Sequence, residues 1–222
     1  MERIDTKAGQ VLGRTGESIS HFYFVESGMI SLMKSMQNGA AVEISATGPE
    51  GIAPLGAIFD LDRAVFESIV LIPGEVLRIR REALRKKLAS DRELFAVMRG
   101  YGGVALNQLA QSAACNILHS VEERCCRWLL MAHDAAHDRT FSLTHEFLGA
   151  MLGVRRASVS VAAQTLQRAG VIRYCHGQMT ITDRAALERA ACECYAATKQ
   201  EFETFFQQVW YNNVDAGSPA PA

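Results

Sequence analysis

Residues 143–177 read LTHEFLGAMLGVRRASVSVAAQTLQRAGVIRYCHG, and the order of cap, apolar face, glycine, arginine pair and closing glycine decides the fold. Thr144 suits a helix N-cap, because its hydroxyl can accept from an orphan backbone N–H, and Glu146 complements the positive end of the helix dipole. Phe147, Leu148, Met151 and Leu152 fall at helical spacing on one face, while Gly149 and Ala150 are small enough for a crossing helix to approach. Gly153 is the natural turn residue, since it takes positive φ without a Cβ clash. A second helix is expected from about Arg156 to Ala169, stopped by Gly170. Val159, Ala163 and Leu166 line its inner face, which leaves Arg155, Arg156, Ala157, Ser158, Ser160 and Val161 near the exposed N-terminal half. Two helices joined this way form a helix-turn-helix, whose second helix enters a major groove with its N-terminal half.

The chemistry of that half fits the task. Arginine forks two N–H groups onto guanine O6 and N7, and serines or a helix N-terminus hold phosphates, so Arg156 is the expected base contact. The β-prone runs Val171–Tyr174 and Met179–Thr182, joined by Cys175-His176-Gly177-Gln178, read as a hairpin behind the reading helix, which makes a winged helix. Between residues 141 and 182 Arg155, Arg156, Arg168 and Arg173 face Glu146 as the only acid, in a chain of net charge −1. A local positive excess on a neutral chain is what a confined phosphate-binding surface looks like. The same two-helix layout also occurs in domains that never touch DNA, so the rest of the chain carries weight.

The 222 residues are 49% hydrophobic and 21% charged, the make-up of a soluble globular chain with room for two domains. No apolar run reaches bilayer length and Met1–Lys7 lacks the apolar core of a secretory signal, so a cytoplasmic location without membrane contact is expected. The cysteines, at 115, 125, 126, 175, 192 and 194, are then thiols. Neither Cys125-Cys126 nor Cys192-Glu193-Cys194 has the Cys-x-x-Cys spacing usual in zinc or iron–sulfur ligation, so small core residues are the preferred reading. No metal and no cofactor is expected.

Ahead of this region, residues 9–80 hold short β-prone runs at 22–25, 29–33, 42–45, 68–72 and 76–79, with glycines between or beside them. That pattern predicts an antiparallel sandwich or barrel. From about Arg81 helices take over: Glu82–Ala89, then a long one over Asp91–Ser120. Leu94, Met98, Tyr101, Ala105, Gln108, Ser112 and Cys115 repeat in steps of four and three, a coiled-coil rhythm. Pairing with a second copy is the favoured reading and a helix lying on the β domain the alternative; Gly100, Gly102 and Gly103 are a candidate hinge. Further helices are expected over Glu122–Ala135 and Arg184–Gln208. The resulting α+β class has an antiparallel β-roll over 1–89, a dimerisation helix over 90–120, a winged helix-turn-helix domain with a C-terminal helix over 121–214, and a disordered tail over 215–222.

This order of parts resembles the Crp/Fnr family of bacterial transcription regulators over nearly the whole chain. The likeness is carried by Leu143–Tyr174, by His119-Ser120-Val121-Glu122-Glu123-Arg124 with Arg127-Trp128-Leu129-Leu130, and by Ile72-Pro73-Gly74-Glu75-Val76-Leu77-Arg78-Ile79. It implies a jelly-roll sensor domain like those that bind cyclic nucleotides, and a homodimer on a pseudo-palindromic operator in double-stranded DNA. It further implies that Arg156, Ala157, Ser160 and Val161 occupy base-reading positions and that Thr144, Arg155 and Ser158 sit where phosphates are held. His145 and His176 complete the candidate DNA-binding set. RNA polymerase and an unidentified small-molecule effector are candidate partners. The family's Gly-Glu-Leu segment and Arg-Ser or Arg-Thr pair correspond here to Gly51–Gly56 and Asp62-Arg63-Ala64, which lack the glutamate and the hydroxyl. Arg63 alone remains as a candidate effector contact, and cyclic AMP is not the expected ligand. Lacking cysteines before Cys115, the chain also departs from the oxygen-sensing branch with its N-terminal iron–sulfur ligands.

An enzyme is not expected. His145-Glu146 begins like a His-Glu-x-x-His zinc motif, but Gly149 stands where the second histidine belongs. His133 and His137, spaced i, i+4 beside Asp134 and Asp138, could chelate a divalent metal, although a solvated helix end is preferred without a third ligand. The alternative function is a ligand-binding or protein-interaction module that has lost specific DNA binding.

Overall fold

The computed structural model describes residues 1–49, 51–136 and 140–215. Eight strands come first: β1 (Glu2–Asp5), β2 (Val11–Gly13), β3 (His21–Val25), β4 (Met29–Ser35), β5 (Ala41–Thr47), β6 (Ile52–Ala53), β7 (Glu67–Ile72) and β8 (Glu75–Arg80). They form two antiparallel four-stranded sheets, β1-β8-β3-β6 and β2-β7-β4-β5, as the jelly-roll expectation requires. Register puts Phe22 opposite Ile79 and Ile30 opposite Val70, so apolar side chains meet between the sheets. Gly28, at φ 83, makes the β3–β4 turn, where a Cβ would run into the Ile72 carbonyl. Strand β1 begins before residue 9, outside the expected β region, and β2 and β6 were not foreseen either.

Strand β4 is buried from Met29 to Met33 without alternation. One side, with Ile30 and Leu32, fills the sheet interior, and the other, with Met29 and Met33, packs on the C-terminal half of the chain. The two halves therefore share one apolar core. Ser31 Oγ approaches the Met151 sulfur at 3.5 Å and donates to Glu43 at 2.6 Å, and Trp128 Nε1 donates to the same carboxylate at 3.1 Å. Val42 lies against Gly153, 3.0 Å from where a Cβ would stand.

Helix α1 (Arg81–Ser90) leads into α2 (Arg92–Leu118), which starts at Asp91, whose side chain accepts from Leu94 N at 3.0 Å. The helix runs unbroken through its glycines. They let neighbours in: a Cβ on Gly100 would lie 2.7 Å from the Phe205 ring, and one on Gly102 2.6 Å from an Ile58 methyl. The stripe expected to pair with a second copy packs within its own chain instead. Met98, Tyr101, Ala105, Gln108, Ser112 and Cys115 are buried, and Gln108 bonds both Ser45 (3.0 Å) and the Ala46 carbonyl (3.1 Å) on β5. The exposed face carries its own four-three rhythm through Arg99, Gly103, Leu106, Ala110, Ala113 and Ile117.

Helix α3 (Val121–Ala135) opens on a full capping box between Ser120 and Glu123. Then come β9 (Thr140–Ser142), α4 (His145–Leu152), α5 (Arg156–Arg168), β10 (Ile172–Cys175), β11 (Gln178–Ile181), α6 (Arg184–Ala190) and α7 (Cys194–Asp215). The single helix expected over 184–208 is broken at Ala191–Glu193. Helix α7 returns along α2, where Phe202 lies 6.2 Å from the Tyr101 ring and Glu201 accepts from Asn107. The expected disordered tail after Asp215 lies outside the described residues. No helix among the described residues is long and apolar enough to cross a membrane.

Candidate nucleic-acid interface

Thr144 caps α4 by accepting from Phe147 N at 3.1 Å, and Gly153 closes it in the left-handed region at φ 64, ψ 33. Gly149 is needed for the turn: a Cβ there would stand 3.0 Å from the Val154 carbonyl and 3.4 Å from Arg156 N. Ala150 is exposed and takes no part in that approach, contrary to the sequence expectation. Helix α5 buries Val159, Ala162, Ala163 and Leu166. Its opposite face presents Arg155, Arg156, Ala157 and Ser158 to solvent, together with Val161 at 62% exposure. A bare valine beside a forked arginine suits a surface that reads bases, where a thymine methyl takes an apolar contact.

His145 and Ser160 are held differently. Ser160 Oγ donates to the Arg156 carbonyl at 3.1 Å, so the 3.0 Å contact with His145 Nδ1 is a bond donated by the imidazole. The ring also stacks on Tyr174, 4.2 Å between centroids. Burial first, and then the charge of Arg156, lowers the His145 pKa, which keeps the imidazole neutral at pH 7. These two residues brace α4 against α5. At the wing, His176 (φ 48) and Gly177 (φ 77) form a two-residue turn of the I′ kind, placing exposed His176 at the tip. The strands run one residue out of step with the expected ones, and β9 adds an unforeseen third strand through Phe141 opposite Met179.

Arg63 is exposed, and its guanidinium donates to the Gly16 carbonyl at 2.7 Å. A cavity of about 1090 Å³ lies between β4–β5, α3 and α7, lined by Met29, Met131, Asp134, Tyr195 and Phe202. Beside Gly51–Gly56 the space is filled by Tyr101, whose hydroxyl accepts from Ile52 N at 3.3 Å.

His133 meets Arg184 at 2.6 Å; His137 lies outside the described residues. Cys125 and Cys126 are core thiols, pushed by burial to about 12 and about 11. The sequence reading missed a third group. Cys115, His119, Cys192 and Cys194 bring their ligand atoms within 4.8 Å of one another at the junction of α2 and α7. The available signals were the i, i+4 spacing of Cys115 and His119 and the Cys-x-Cys pair, each weak alone.

Comparison with known proteins agrees with this architecture. Residues 3–91 match the cyclic nucleotide-binding domain and residues 123–190 the Crp-like helix-turn-helix domain. No curated protein matches the sequence. Among solved structures, FixK2 from Bradyrhizobium japonicum is similar with TM-score 0.72 at 16% identity, covering 86% of this chain and 97% of that one. TTHB099, a CRP-family transcriptional regulator from Thermus thermophilus, gives TM-score 0.68 at 20% identity over 86% of this chain and 96% of that one. At these identities the likeness establishes the fold. With a cyclic nucleotide-binding domain followed in order by a Crp-like helix-turn-helix, the chain belongs to the Crp/Fnr family of regulators.

Proposed function

We propose that this chain is a sequence-specific DNA-binding transcription regulator that acts in the cytoplasm as a homodimer on a pseudo-palindromic operator. The observation that carries the reading is the division of α5 into a buried face and an exposed, arginine-led N-terminal half. Arg156, Ala157 and Val161 are its base-reading residues, and Thr144, Arg155 and Ser158 its phosphate contacts. His176 reaches the backbone from the wing tip. His145 and Ser160 act by setting the angle between α4 and α5 as well as by lying near the groove.

The dimer seam is the exposed stripe of α2, where Gly103, Ala110 and Ala113 allow close approach and Leu106 and Ile117, 63% and 83% exposed, supply apolar area. Its four-three spacing is that of a two-stranded coil. Cyclic AMP is not the ligand in this reading, because the segment Asp62-Arg63-Ala64 lacks the hydroxyl, Gly51–Gly56 lacks the glutamate, and Tyr101 fills the space beside Gly51–Gly56; an unidentified small-molecule effector remains a candidate partner. RNA polymerase remains a candidate partner.

A gel shift on genomic fragments tests this. Specific, salt-sensitive binding is expected, and Arg156→Ala is expected to weaken specific binding by about 1–3 kcal/mol while leaving non-specific binding nearly unchanged. Equal losses on operator and random DNA would remove Arg156 from the base-reading set. No selective binding at all, in the presence of cell extract, would favour a module that has lost DNA recognition.

A further inference from the structure

We propose that Cys115, His119, Cys192 and Cys194 form a four-coordinate zinc site that staples the start of α7 to the end of α2. The four residues come from two places far apart in sequence. Cys115 lies in the last turn of α2 and His119 caps that helix, its N–H bonding to the Cys115 carbonyl, while Cys192 and Cys194 flank Glu193 where the α6–α7 link enters α7. The cysteines form an apolar cluster of their own, separate from both large cores, with buried thiols and a largely covered imidazole. Cys125 and Cys126, by contrast, sit among leucines and Trp128, as core thiols should.

The geometry is that of a closed tetrahedron. Zinc–sulfur bonds of about 2.3 Å and a zinc–nitrogen bond of about 2.0 Å set sulfur–sulfur edges near 3.8 Å and sulfur–nitrogen edges near 3.5 Å. Here Cys115 Sγ and Cys192 Sγ stand 3.6 Å apart, and Cys194 Sγ and His119 Nδ1 also 3.6 Å. All remaining pairs lie within 4.8 Å, so small rotations close the set around one ion. A single-ion site is the fit, since a cluster of several irons and sulfides holds its ligands further apart. Three thiolates and one imidazole are the soft set that selects zinc over magnesium or calcium.

The surroundings match a ligated group. His119 offers Nδ1 to the cluster while Nε2 lies 3.2 Å from the Glu193 carboxylate, the outer contact that fixes a ligating imidazole. Gln111 Nε2 donates to Cys194 Sγ at 2.9 Å. Arg127, buried and donating to Ser112 at 3.0 Å, lies beside Cys115, where it offsets the net negative charge that three thiolates leave on a bound dication. Binding needs no redox step: three thiol protons leave as three metal–sulfur bonds form.

The test uses the full chain, reduced and stripped with a chelator, titrated with cobalt(II) as a spectroscopic stand-in and then with zinc. One equivalent of cobalt is expected to give sulfur-to-metal charge-transfer absorption with the intense visible bands of a tetrahedral site, and zinc is expected to displace it. Cys115→Ser and Cys194→Ser should each weaken binding at least tenfold, whereas Cys175→Ser, at an exposed position, should leave it unchanged. Because a variant can fail to fold, the wild-type protein supplies a second readout. Zinc, but not magnesium, should raise its Tm and shield three of its six thiols from alkylation. Absence of the charge-transfer bands, unchanged binding in folded serine variants, or a Cys115–Cys192 disulfide that forms despite added zinc would overturn the proposal.

Discussion

The two faces of α2 carry the same spacing and opposite fates. Leu94, Met98, Tyr101, Ala105, Gln108, Ser112 and Cys115 face the β-roll and α7 of their own chain, whereas Gly103, Leu106, Ala110, Ala113 and Ile117 face solvent. The inner face carries polar side chains and is still the buried one, because Gln108 finds the Ser45 hydroxyl and the Ala46 carbonyl and Ser112 finds Arg127. Hydrogen-bond partners decide whether a polar side chain can be covered. A heptad rhythm therefore fixes that a helix has a seam, while the partner along that seam is settled by what the opposing surface offers.

The strongest way to break the contrast is on the inner face. Tyr101→Ala removes a ring packed between the β-roll and Phe202, and is expected to lower stability by about 3–5 kcal/mol in chemical denaturation. A loss below 1 kcal/mol would mean that α2 is not anchored there. On the outer face, Leu106→Glu combined with Ile117→Glu should leave the stability of the monomer within about 0.5 kcal/mol. The same pair should turn the proposed dimer into a monomer in sedimentation and cut apparent operator affinity about 100-fold. A dimer that survives both charges would move the seam elsewhere.

The smallest effect sharpens how β5 is held. Gln108 holds it from α2 without a titrating group, and Trp128 of α3 holds it through Glu43, whose pKa is raised to about 7, mainly by burial, against the opposing bonds from Ser31 and Trp128. A raised carboxyl contributes stability that is full below its ordinary value of 4.5 and is lost as pH rises through about 7. Between pH 6 and pH 8 the folded state should therefore lose on the order of 1 kcal/mol. Glu43→Gln should flatten that slope; an unchanged slope would assign it to another group.

Much of the reader domain was legible because its signals are local. Thr144, Gly153 and Gly170 mark helix ends by chemistry that acts within a turn, and the structure puts caps and positive φ there. The wing slipped by one residue, since Gly177 advertises a turn without saying that His176 shares its positive φ. Strands β1, β2 and β6 are two to four residues long, too short for alternation to register. Arg63 is an effector candidate by chemical type alone, and its carbonyl partner on Gly16 is not legible in the chain. The Cys–His group stayed hidden because Cys115 and Cys192 are 77 residues apart, and only the return of α7 along α2 brings them together.

The contact of β4 and β5 with α4, through Ser31 and Met151 and through Val42 and Gly153, has a mechanical consequence. A lever needs a fulcrum, and here the strands of the first domain touch the elbow from which the arginine-bearing helix departs. Any shift of these strands would press on that elbow through contacts already in place, without having to travel along α2.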